Sequence, residues 1–341
     1  MKAYFEHPGK AVEDSRFSHM MAITLDPASN NKKGVVRCIT SREGDVEVKG
    51  YTDRSKLFTV SGDSLERFTV GKELQIKNAQ EIIDRLNIEG FDFLGLEDPD
   101  IWRDETNGLL HLYFTMPFID RSKEEGHSLV HLGHAVGEDL SSLAMTMPVL
   151  EASKEKYEDA RAKEVSIAPL NSKGFRYNLF EGHNKLHEED IDTYSTVRVA
   201  KVTNMDADWE FGPTVFHPAE HKFSWIAGHA SPGPLFSKDF INVGKGKVLG
   251  IINGREANKH MDGKTLYGTF SVGLFIYDYE NGKIDWVSPE PFIQDSEAKT
   301  ITFASQFVEK GKGEGVLYAH VDDSFVRAYT LKAEDIKPLL P

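Results

Sequence analysis

A chain of 341 residues is long enough to bury a sizeable core. Its 54 acidic against 40 basic side chains leave a formal charge of -14, which repels phosphate backbones and argues against nucleic acid as a partner. The single cysteine, Cys38, excludes an intrachain disulfide and a cysteine-based zinc site, and it fits a reducing compartment. The N-terminal residues lack the basic and apolar regions of a secretory signal, and no apolar run approaches the roughly eighteen residues of a membrane helix. The expectation is a soluble, cytoplasmic protein without membrane contact.

In chain order, short apolar runs are broken by Gly, Pro and Asn, the signature of strands. Met20–Leu25 and Gly34–Thr40 come first. Ala79–Asn87 places Ile82, Ile83 and Leu86 at helical spacing and is one of few helix candidates, with segments near Lys154–Ala162 and Lys332–Leu339. Strands then recur: Leu109–Met116 with Leu129–Val136; Glu164–Pro169, Phe175–Glu181 and Tyr194–Val202; Phe240–Val243, Lys247–Ile252 and Ser271–Tyr279; Thr300–Phe307, Gly315–His320 and Phe325–Tyr329. The acidic Leu186–Asp192 reads as a hairpin loop. Clusters repeating at roughly forty to seventy residues suggest an all-β fold, a five-bladed β-propeller with few short helices, spanning residues 1–341 as a single catalytic domain. A β-sandwich is the alternative.

The most chemically loaded stretch is Gly95-Leu96-Glu97-Asp98-Pro99-Asp100-Ile101-Trp102. Like charges this close raise one another's pKa and need donors to stay ionised, which makes the stretch a candidate for acid/base chemistry. The plainer reading is a solvated acidic loop at a strand start.

Glu97-Asp98-Pro99-Asp100-Ile101 resembles the Glu-Asp-Pro-Arg-Ile signature of the five-bladed propeller enzymes of glycoside hydrolase family 130, the mannoside phosphorylases and β-mannosidases. Asn178–His183, Trp225–Pro234 followed by Lys247–Ile252, and Gly315–Asp322 followed by Val326–Ala328 are similar to later phrases of that family in order and spacing. The resemblance covers about residues 90 to 331 and implies a carbohydrate substrate. It also implies that Asp98 is the general acid. In the phosphorylases an arginine follows Glu-Asp-Pro, and here that position is Asp100, which repels phosphate. Arg176, Lys185, Arg198 and Arg255 do not reproduce a phosphate cradle. The expectation is hydrolysis of a β-mannoside or related oligosaccharide, with phosphorolysis or an arabinan/xylan-type propeller activity as alternatives and a non-catalytic carbohydrate-binding propeller as the rival of another class.

An inverting hydrolase needs a second carboxylate to activate water from the opposite face. Glu181 ends an apolar strand before Gly182-His183 and is the expected partner of Asp98; Glu97 and Asp100 compete for either role, and Glu164 is a weaker candidate. Trp102, His183, His229, Arg255, His320 and Asp322 are the expected substrate-binding residues, supplied blade by blade. Of 13 histidines, His127, His131 and His134 are spaced by four and three, but in a strand His131 and His134 point to opposite sides. They read as structural or substrate-lining. No phosphate-cradling glycine loop, nucleophile elbow or metalloprotease helix is present, and neither a cofactor nor a metal is expected.

Overall fold

The computed structural model describes residues 3–120, 127–154, 161–184 and 194–341. They form a five-bladed β-propeller. Blade 1 contains Met20–Leu25, Lys33–Glu43, Thr52–Ser61 and Phe68–Glu73, with Val12–Glu13 added in parallel at its outer edge. Blade 2 contains Glu97–Arg103, Leu110–Asp120, His127–Gly137 and Ala144–Met145. Blade 3 contains Ala162–Ser166, Arg176–Asn184, Tyr194–Val202 and Glu210–Phe216. Blade 4 contains His229–Leu235, Lys247–Arg255, Phe270–Asp278 and Lys283–Val287, and a parallel bridge from Ser195 to His229 joins it to blade 3. Thr302–Gly311, Glu314–Val321 and Phe325–Lys332 make blade 5, whose outer strand is the N-terminal Tyr4–Glu6. The two ends of the chain therefore close the ring within one sheet.

The middle strands are buried on both faces and read as continuous apolar runs, as in Lys247–Arg255 and Phe270–Asp278. The innermost strands are joined by polar staples. Thr24 Oγ1 accepts the Ile101 N–H at 3.0 Å, Gln306 exchanges bonds with Leu25, and Ser166 donates to Gly233 O at 2.6 Å. Asn253 reads both backbone groups of Ala304.

The expected helix at the start of blade 2 forms over Ala79–Leu86, burying Ile82 and Leu86, and the C-terminal one over Ala333–Ile336. Near residue 154 the described chain is a short 3-10 turn, Ala152–Lys154, followed by the strand from Ala162; the rest of that expected helix, Lys185 and the acidic 186–192 loop lie outside the described residues. Phe240–Val243 is not a strand: Phe240 and Ile241 bury their side chains in a core cluster from a turn and loop. Trp225–Pro234 runs into the innermost strand of blade 4, His229–Leu235, in spite of its glycines and prolines. Pro232 and Pro234 are tolerated because that strand bulges between Pro232 and Leu235.

Candidate active site

Every innermost strand carries a bulge where it passes the axis: after Met21, Glu97, Lys163, Pro232 and Ala304. In blades 1 to 3 the residue just past that point, Ala22, Asp98 or Glu164, has φ of 51°, 44° or 50°. Non-glycine residues rarely hold this left-handed conformation, and its strain recurs at functional sites. Gly95 makes the approach possible. At φ 124° it lies against the Ser55 carbonyl, 2.0 Å from where a Cβ would fall. Asp98 and Glu164 thus occupy equivalent positions on neighbouring blades, and a side-chain hydrogen bond joins them.

Around this pair the first and second strands contribute charges. Arg37 of blade 1 donates from Nη1 to Asp98 Oδ1 at 2.8 Å and from Nη2 to Glu97 Oε1 at 2.7 Å. Lys163 Nζ lies 3.5 Å from Glu181 Oε1, and His229 Nε2 lies 3.1 Å from Glu181 Oε2. Burial opposes ionisation of Asp98, but Arg37 and Lys163 overcome it and hold its pKa below the usual carboxylate value. Burial, with repulsion from Asp98, lifts Glu164 well above 4.5, so Glu164 carries the proton of the pair. Glu97 is pushed up to about 7 by burial, against the pull of Arg37. Glu181 goes the other way: burial opposes its charge, but His229 and Lys163 outweigh it and keep it firmly ionised. An ionised Glu181 only accepts, so His229 Nε2 bears the hydrogen between them.

Asp98, Asp100, Trp102 and Glu164 line an axial cavity of about 220 Å³. Among the described residues, no cation shifts the Asp100 carboxyl. Burial pushes its carboxyl up to about 7, opposed only by the Ile101 N–H. At the Glu181 end, a hairpin of Lys259–Met261 and Lys264–Leu266 reaches blade 1, where Leu266 bridges Val48 and the Tyr267 ring meets Tyr51. Beneath it, Tyr51 donates to Asp323 at 2.8 Å and His320 Nδ1 lies 2.8 Å from the other Asp323 oxygen.

The expected residues divide accordingly. Glu97, Asp98, Glu181 and His229 come together in one network, with Asp100 and Trp102 on the cavity wall. Arg255 ends the second strand of blade 4, stacked on Tyr267 and Phe270 and bonded to Asn258. His183 is half-buried on the same face of its strand as Glu181. Asp322 does not join them: its carboxylate caps the 299–301 turn by accepting the N–H groups of Lys299, Thr300 and Ile301. Asp323, one residue on, is the blade 5 acid in the network. Arg37, Lys163, Tyr51 and Asp323 were not singled out from the sequence, and Glu164 ranks higher than its local context indicated. Setting Lys163-Glu164-Val165 beside Glu97-Asp98-Pro99 as equivalent blade positions is the signal that finds Lys163 and Glu164.

The architecture is a divergent form of the fold of glycoside hydrolase family 130. A β-1,2-mannobiose phosphorylase from Listeria innocua, solved with β-1,2-mannobiose, is 11% identical and aligns over 99% of both chains with a TM-score of 0.67. A structure from the family 130 mannoside phosphorylases, a family described as containing hydrolases that target β-1,2-mannosidic linkages in Candida mannan, is 16% identical with a TM-score of 0.65, covering 98% of this chain and 94% of its own. A mannose phosphorylase from Leishmania mexicana in complex with phosphate is 14% identical with a TM-score of 0.59, over 100% and 92%. No protein-family model and no curated protein matches the sequence. Among the described residues, no helix is long and apolar enough to cross a membrane.

Proposed function

We propose that the protein, with all five blades as one catalytic unit, is an inverting glycoside hydrolase acting on a β-mannoside or related oligosaccharide in the axial cavity. The observation that carries this reading is that Asp98, Glu164 and Asp100 all line the axial cavity, with a single proton held between the first and second of them. General acid catalysis needs a carboxyl that is protonated at the working pH. The Asp98–Glu164 pair supplies that proton to the departing glycosidic oxygen. Asp100, poised near 7 without a counter-ion, takes the proton of the attacking water. Glu181, tied to Lys163 and His229, is too strongly ionised to serve well as a base; it balances the charge of Lys163 and orients His229.

Water is favoured over phosphate because Arg37 and Lys163, cations of the network, already face carboxylates, and because Asp100 stands where the family's arginine would be. The test is a screen of aryl-glycosides and manno-oligosaccharides with and without inorganic phosphate, on the wild type and Asp98→Asn. Free mannose formed at a phosphate-independent rate is the expected product. Sugar 1-phosphate would replace hydrolysis by phosphorolysis, and sugar binding without turnover would leave a carbohydrate-binding propeller.

A further inference from the structure

Away from the acidic network, three potential metal ligands converge between blades 2 and 3. His111, on the second strand of blade 2, places Nδ1 3.0 Å from Nε2 of His134 on the third strand. The same Nδ1 lies 3.3 Å from Oδ1 of Asp206, in the loop that follows Tyr194–Val202 of blade 3. One ligand atom from each falls within 4.8 Å of the others. With bonds of about 2.0–2.1 Å, neighbouring ligands of a tetrahedral zinc-type ion stand roughly 3.3 Å apart, so the two short separations fit.

The hydrogen bonding favours the same arrangement. Thr146 donates its hydroxyl to Met147 O at 2.9 Å and so accepts from His134 Nδ1 at 2.9 Å. That leaves the lone pair of His134 on Nε2, aimed at His111, which is the way an outer partner fixes a metal-bound imidazole. His111 Nδ1 then faces two acceptors, the His134 lone pair and the Asp206 carboxylate. One hydrogen on Nδ1 serves either well and not both, whereas a cation serves all three. The imidazoles are buried, 1% and 0% exposed, while the Asp206 side chain is 49% exposed and leaves a route from solvent and a position for water.

We propose that His111, His134 and Asp206 bind one divalent ion of the zinc class, which clasps blade 3 to blade 2. Two imidazoles and a carboxylate suit zinc, with cobalt(II) as a spectroscopic substitute. The clasp reinforces the Tyr113 hydroxyl bond to Met205 O at 3.2 Å in the same loop. It also backs the axial cavity, because the His111 ring packs 5.1 Å from Trp102, which lines that cavity. His131, despite its spacing from His134, is turned elsewhere and accepts the Ala152 N–H.

The test uses the full chain, stripped with chelator and titrated with zinc against a chromophoric competitor. The wild type should take up one tight equivalent, gain thermal stability with zinc concentration, and give the intense visible absorption of tetrahedral cobalt(II). Asp206→Ala, at an exposed position that leaves folding intact, should weaken that equivalent at least tenfold and abolish the cobalt band. A wild type that binds no equivalent overturns the proposal. Equal affinity in wild type and Asp206→Ala also overturns it, since the ion then sits on other side chains.

Discussion

Blades 2 and 3 carry ionisable groups at the strand position where blades 4 and 5 carry none. Glu97-Asp98 and Lys163-Glu164 stand at bulges of the same kind as Pro232-Gly233 and Ala304-Ser305. Backbone geometry alone therefore does not make the site. What distinguishes the two halves is charge that neighbouring second strands must balance: Arg37 of blade 1 and Glu181 of blade 3 do so, whereas Ile252 and Ala319 pair the corresponding positions of blades 4 and 5. If that contrast defines the catalytic half, Asp98→Asn and Glu164→Gln should each lower kcat/KM by about 10²–10⁴-fold with the fold retained. Ser305→Ala, at the equivalent point of blade 5, should stay within about threefold. Comparable losses in all three, measured on one substrate, would erase the contrast.

The second way to break it is through the counter-charge. Arg37→Met leaves Glu97 and Asp98 buried beside each other without their cation, and removing one partner of a buried ion pair costs about 3–5 kcal/mol. Urea unfolding at neutral pH should show that loss, and lowering the pH should recover part of it as the orphaned carboxylates take protons.

Asp100 sharpens the contrast by its pH dependence. Its folded pKa is raised to about 7 from 3.8, so the folded state holds a proton that the unfolded chain has lost. Stability from this group is fully present below about 4 and is lost as pH rises through about 7. Activity should run in the opposite direction, since a base must be ionised: kcat/KM should climb as pH rises through about 7. Asp100→Asn should flatten the stability profile, with a gain of about 1–2 kcal/mol at pH 8. The same substitution should remove the activity limb. A pH–rate profile unchanged by Asp100→Asn would assign that limb to Glu97, which is also pushed up to about 7.

The blade rhythm was legible because buried strands between turn residues leave a local trace, as at Lys247–Arg255 and Phe325–Lys332. The innermost strand of blade 4 was not, because Pro232, Gly233 and Pro234 carry turn chemistry that a bulge at the axis absorbs. The place of Glu97-Asp98-Pro99 at the start of blade 2 was legible from the motif. The proton-sharing partner was hidden, since Glu164 lies 66 residues further along (164 less 98) and meets Asp98 only when two blades are set side by side. Likewise Asp322 looked like the blade 5 acid until the turn it caps was seen to leave Asp323 facing His320. The Cys38 thiol is buried, and burial pushes it up to about 12.

The smallest expected effect isolates backbone strain from charge. Ala22 shares the left-handed conformation of Asp98 and Glu164, at φ 51°, but brings no ionisable group. A non-glycine residue in that region costs roughly 1–2 kcal/mol, and glycine relieves most of this while adding entropy to the unfolded chain. Ala22→Gly should therefore stabilise the protein by about 0.5–1 kcal/mol, read as a small rise in the urea midpoint, with kcat/KM changed less than about twofold. Stabilisation without loss of rate would show that the bulge only aims the side chains. A marked loss of rate would show instead that the strained backbone of blade 1 helps hold Asp98 and Glu164 in place.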